Sequence, residues 1–257
     1  MIRAGSDTGW YFDGTQDRYR WPGNKPEMRS AAQGLPEILS SRDRMIEHMH
    51  RYFGALGDGS PRYAGSLFET FASRSRTSSG FSFAYPRFNE CHILAAESLS
   101  IKIPSRAAIW LLEPDAVRDS ALDECGQLLR RHTEFTGQGV APESWTDDTS
   151  PFSKVHERLR DVQISDFGRV TRSKILAALF PGVVPIRDSH VEQMLGLEKS
   201  NIWWKEILKV LQDDGGRVAR DLASLNLSPD ASRASLLRRL DVVLWMEYRA
   251  IHSTYSD

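Results

Sequence analysis

Between residues 164 and 196 the sequence reads ISDFGRVTRSKILAALFPGVVPIRDSHVEQMLG, and this stretch concentrates the residues able to do chemistry. Its pattern predicts a helix end, a tight turn at Gly168, a helix, a proline-bounded loop and a further helix. A helix that starts at such a turn offers backbone N–H groups to an anion. Gly168 permits close backbone approach, Arg169, Arg172 and Lys174 supply charge, and with Asp166 included the stretch 166–174 still sums to +2. At the far end of the loop, Ser189 and Glu192 have the spacing of a capping box, which predicts Ser189 as N-cap and leaves Asp188 one residue outside the helix. That is the positive end of the helix, a place that suits negative charge. A carboxylate held there can stabilise a developing cation or activate a water. Equally, an Asp in front of a helix can be the cap itself, worth about 1 kcal/mol.

The same stretch resembles the helix-hairpin-helix DNA glycosylase superfamily. Phe167-Gly168-Arg169-Val170-Thr171 is similar to the second half of that superfamily's hairpin, and Asp188-Ser189-His190-Val191 to its Asp-Thr-His-Ile motif. Gly168 and Asp188 are separated by twenty residues, which matches the superfamily spacing without a gap. The resemblance implies Asp188 as the catalytic carboxylate. It also implies Gly168, Arg169, Thr171, Arg172 and Lys174 as a clamp on the backbone phosphates of double-stranded DNA. Three positions depart from the pattern. Asp166 stands at the first hairpin glycine, Arg187 replaces an apolar residue, and Val170 stands where members that also cut the strand have a Schiff-base Lys. The implied enzyme is monofunctional, with water as nucleophile. Lys174, one helical turn on, is a candidate displaced amine, although a phosphate contact or a solvated helix charge is the reading preferred for it. Arg187, if paired with Asp188, would suit an electrostatic stabiliser better than a general base. A wider resemblance, over roughly 63–250, is to a bacterial family of domains of unknown function. It rests on Tyr63 to Phe68, on Ser173-Lys174-Ile175-Leu176, on Pro181, Pro185, Ile186 and Asp188, and on Leu236 to Met246.

The elements that must position these residues read as helices throughout. Met45, Ile46, Met49, Tyr52, Phe53 and Leu56 recur at steps of three and four and predict a helix from about Ser40, stopped by the Gly-Asp-Gly-Ser-Pro run at 57–61. Helices are predicted over 63–72, 87–101, 104–112 and 114–135, the last with Val117, Leu122, Cys125, Leu128 and Leu129 on one side. Others follow over 152–164, 171–180, 189–197, 201–213, 215–225 and 232–253, where Leu237, Leu240, Leu244, Tyr248 and Ile251 should pack firmly. At least one of Trp203 and Trp204 reads as core, and Asp241 as a residue that supports the site from behind or as an exposed face residue. Little alternates with period two, so the fold class is all-α, with a glycosylase-like helical arrangement implied by the resemblance. Residues 1–35 read as an irregular, aromatic-containing arm, and 36–257 as the helical domain. The stretch 73–80 reads as a basic polar loop, and 136–151 as a linker and candidate boundary between two helical lobes.

Composition narrows the function classes. The 257 residues carry 33 Lys+Arg against 34 Asp+Glu, a net charge of −1, which excludes a broad polybasic surface and leaves room only for a local anion clamp. Two cysteines, Cys91 and Cys125, exclude a disulfide framework, a four-cysteine zinc site and the iron–sulfur cluster of some superfamily members. No metal or cofactor is therefore expected. His48 and His50, two residues apart, face differently on a helix and do not make a metal site. Neither a leader nor a long apolar run is evident, so a cytoplasmic protein without membrane contact is expected. No P-loop, dinucleotide-binding glycine motif or nucleophile elbow occurs. Three readings stand: a monofunctional DNA glycosylase-like hydrolase, a non-catalytic helix-hairpin-helix DNA-binding module in repair or defence against foreign DNA, and an interaction domain that keeps only the architecture.

Overall fold

A computed structural model describes residues 35–78, 86–132, 140–197 and 203–253. The arm at 1–34 lies outside the described residues. Within them the chain is helical, and the one β-bridge, Ala55 to Pro61, closes the turn after the first helix. The helices are α1 (Arg42–Phe53), α2 (Phe68–Ser78), α3 (Glu90–Ser98), α4 (Ser105–Leu112), α5 (Ala116–Arg131) and α6 (Pro151–Asp161). They are followed by α7 (Arg169–Leu179), α8 (Ser189–Leu195), α9 (Trp203–Ala223), α10 (Pro229–Ser232) and α11 (Leu236–Ser253). The all-α class read from the sequence is the fold class observed. No helix among the described residues is long and apolar enough to cross a membrane.

Local signals set many of the boundaries. Asp115 caps α5 by accepting from Arg118 N at 2.8 Å, and Ser150 caps α6 ahead of Pro151, whose missing N–H costs nothing in a first turn. Asn89 and His92 form a reciprocal capping box at α3. Helix α9 contains the break expected near 213–215: Asp213 leaves the helical region, and Asp214, Gly215 and Gly216 are left-handed.

One core cluster draws on nearly the whole chain. Met45 and Met49 of α1, Leu122 and Cys125 of α5, Phe152 and Leu159 of α6, Leu176 of α7, Leu208 of α9 and Val243 of α11 all belong to it. A second, smaller cluster joins Phe68 and Ala72 of α2, Ala95 of α3, and Ala177 and Ala178 of α7. Its alanines let α3 approach α7 closely, which carries Leu99, just past α3, up to the amine of Lys174. The described part of the 136–151 segment, residues 140–151, is packed: Ala141 and Trp145 are buried, and the Trp145 ring lies 5.3 Å from that of Phe152.

Four expectations need correction. The 73–80 stretch is helical as far as Ser78, the end of α2. Leu56 falls beyond the end of α1 and is exposed. Val117 and Ile251 are exposed as well, because each sits at a helix end where the apolar stripe has turned away from the core.

Candidate functional site

Helix α7 is the most deeply buried element near the site: every residue from Ser173 to Leu179 is buried. Before it the chain turns at Asp166, whose φ of 62° is left-handed, a conformation glycine adopts freely and Asp tolerates better than most residues. Asp166 therefore makes the turn without a glycine. Gly168 precedes the first helical residue, and no side chain caps the first turn of α7. Arg169 is exposed there and Arg172 half-buried, its Nε buried without a hydrogen-bond partner.

Thr171 and Lys174 point the other way, which corrects their expected place on a phosphate surface. Thr171 is buried, and Lys174 is 4% exposed. The Lys174 amine donates to the Leu99 carbonyl at 2.9 Å and stands 3.8 Å from Asp188 Oδ2. Burial lowers its pKa, against the pull of Asp188 and Asp241. It is neither a solvated charge nor an open nucleophile.

Asp188 is the N-cap of α8: Oδ1 accepts from His190 N at 2.9 Å. The capping box expected from Ser189 is not made, since Glu192 is taken by Arg187, with Nε and Oε1 2.5 Å apart. Arg187 consequently pairs with Glu192 rather than with Asp188, and its guanidinium lies 5.3 Å over the Trp203 ring. The Asp188 side chain keeps 21% of its surface, with Lys174 on one side and His190 Nδ1, 3.8 Å from Oδ1, on the other.

Three hydrogen bonds hold the loop that leads to Asp188. Ser173 Oγ accepts from Arg187 N at 3.0 Å, Trp204 Nε1 donates to the Val183 carbonyl at 3.0 Å, and Ser235 Oγ donates to the Pro181 carbonyl at 2.5 Å. The loop is thereby tied to α7, α9 and the start of α11. Both Trp203 and Trp204 are buried, as expected of at least one.

The structure adds neighbours to the residues read from the sequence. His156 and Arg160 of α6 lie near Arg172 at the start of α7, and the His156 pKa is pushed down to about 4, first by burial and then by Arg172, Arg160 and Arg187. Of these cations Arg160 is paired with Glu157 and Asp161, and Arg187 with Glu192, which leaves Arg169 and Arg172 as the charges beside the turn that pair with no acid among the described residues. On the other side of Asp188, His190, Tyr248 and His252 stack ring on ring. Burial lowers the His190 pKa, helped by Arg249, His252 and Lys174 and opposed by Asp188. Beneath the site, Asp241 and Arg238 of α11 are buried, and burial raises the Asp241 carboxyl to about 6 despite its bond to Arg238. The spacing of Trp245, Tyr248, Arg249 and His252 on one helix was visible in the sequence; the pairing of His190 with Tyr248, remote along the chain, was not.

No curated protein and no solved structure matched the chain. A family model described as "Family of unknown function (DUF6308)" matches residues 45–248, a span that contains the turn, Lys174, Asp188, His190 and Asp241, and the chain belongs to that family.

Proposed function

We propose that this chain is a helix-hairpin-helix DNA glycosylase-like protein that hydrolyses the N-glycosidic bond of a damaged or modified base. The observation that carries the proposal is the braced unit of α7, loop and α8. It sets a partly exposed carboxylate at a helix N-terminus and ties it, through Ser173 and Arg187, to a basic turn with an uncapped helix start. Gly168, Arg169 and Arg172 meet duplex phosphates through backbone N–H groups and charge. With the base rotated out of the stack, the bond from C1′ to the base nitrogen breaks and positive charge grows on the deoxyribose. The Asp188 carboxylate stabilises that charge while a water oxygen bonds to C1′ and gives up one proton, and the departing base nitrogen takes up one. Val170 cannot form a Schiff base, and the Lys174 amine is turned inward to Leu99, so water is the nucleophile.

Duplexes carrying uracil, alkylated, oxidised or hypermodified bases test this directly. At least one should yield abasic sites, and Asp188→Asn should abolish release while leaving DNA affinity within about twofold. Base release that survives Asp188→Asn sinks the assigned role.

A second reading, a non-catalytic DNA-binding module, has one observation in its favour: Lys174 sits 3.8 Å from Asp188 and partly neutralises it, as a structural cap partner would. It predicts affinity that falls with salt and with Arg169→Ala, and no base release from any duplex.

A further inference from the structure

Trp245, Tyr248, Arg249 and His252 fall at i, i+3, i+4 and i+7 of α11 and share one strip of its surface. The strip is not simply core. Tyr248 is buried, Trp245 and His252 are half-buried, and Arg249 is exposed, with its guanidinium 5.0 Å over the Trp245 ring and 5.7 Å over Tyr63.

Tyr248 is held between two imidazoles. His190 lies 4.2 Å from it at an interplanar angle of 12°, and His252 lies 4.0 Å from it at 20°. Three near-parallel rings at this spacing make a column of the kind that nucleobases extend by stacking. The column comes closest to the candidate carboxylate at His190. One face of that imidazole is covered by Tyr248, its side chain keeps 40% of its surface, and its Nδ1 is buried without a hydrogen-bond partner, 3.8 Å from Asp188 Oδ1.

We infer that this column is a stacking platform for a single unpaired nucleobase extruded from duplex DNA: the base lies on the open face of His190, its sugar beside Asp188 and its phosphate toward Arg249. The inference rests on the proposed function and names the part of the surface that receives the base. A π-face is common to all bases, so the platform selects for an unpaired state rather than for sequence. Arg249 adds a cation at the rim without reading base edges. The platform is separate from the basic turn, which meets phosphates whether or not a base is unpaired.

The test compares two labelled duplexes by fluorescence anisotropy, one fully paired and one with an adenine opposite an abasic analogue. The protein is the full chain carrying Asp188→Asn, so no chemistry is needed. The unpaired duplex should bind about tenfold more tightly, within the range for one base–aromatic stack. Adding His190→Ala should reduce that preference below twofold, whereas His190→Phe, which keeps a ring and loses the nitrogens, should retain it. Arg169→Ala should weaken both duplexes equally and leave the ratio unchanged. A preference that survives His190→Ala overturns the platform, as does one lost equally in His190→Phe, which would assign His190 to hydrogen bonding. Base release by the parent chain with no preference for the unpaired duplex overturns the platform alone. A preference without base release from any duplex overturns the hydrolase and keeps the platform.

Discussion

Two buried cations a short distance apart are treated very differently. Arg238 meets four groups: it donates to the Tyr52 hydroxyl at 2.6 Å and to the Gly65 carbonyl at 2.9 Å, bonds Asp241, and its Nε, which makes no hydrogen bond, lies 3.2 Å from Glu69 Oε1. Burial opposes its charge, yet Tyr52, Asp241 and Glu69 outweigh it and its pKa is raised. Lys174 has one good hydrogen bond and an acid 3.8 Å away, and its pKa is lowered. The first cation binds α1, α2 and α11 together. The second is held at a net electrostatic cost beside a carboxylate that still meets solvent. A cation whose charge its neighbours favour serves the fold; a buried cation with fewer partners, next to a carboxylate that meets solvent, marks the place where the molecule has something else to do.

The contrast can be broken by experiment. Arg238→Ala leaves Asp241 and Glu69 buried without their cation and should cost about 3–5 kcal/mol in urea unfolding; a loss below about 1 kcal/mol would erase the distinction. The next effect is in pH. Asp241 ionises near 3.8 when unfolded and about 6 when folded, so between these values the folded state binds more protons. Stability should therefore fall as pH rises through that window, by up to about 1.4 kcal/mol per pH unit for one proton, and level off above it. Asp241→Asn should flatten that slope, and an unchanged slope would assign it to another group, Glu69 first. Asp188→Ala removes the α8 cap and should cost about 1 kcal/mol. Lys174→Met should be the mildest of the four, within about 1 kcal/mol of the parent, because the lost bond to Leu99 is offset by removing a poorly matched buried charge. A Lys174→Met loss as large as that of Arg238→Ala would place both cations in the same structural role.

The helices were legible because the apolar spacing that defines them is local. Their ends were less so, and Leu56, Val117 and Ile251 show why: a stripe can be continued on paper past the point where the core ends. The cap of α8 was misassigned for a different reason. Ser189 and Glu192 have capping-box spacing, but a spacing cannot reveal that Arg187, next to the motif, takes the Glu. The burial of Lys174 had a usable signal in the unbroken run Ile175-Leu176-Ala177-Ala178-Leu179, which marks a helix covered on all sides. The ties Arg238–Glu69, Lys174–Leu99 and His190–Tyr248 join residues far apart in sequence, and only the packing of α2, α3, α7, α8 and α11 brings them together.

The three hydrogen bonds on the 181–187 loop bear on kinetics as well as geometry. A loop pinned through Pro181, Val183 and Arg187 has little freedom left to surrender when a partner arrives, and the Arg187 amide should be among the slowest here to exchange with deuterium. The protein then acts as a rigid gauge, and the deformation on binding falls on the partner. Discrimination among partners would follow how readily each one bends or opens, so the softest of them should bind fastest.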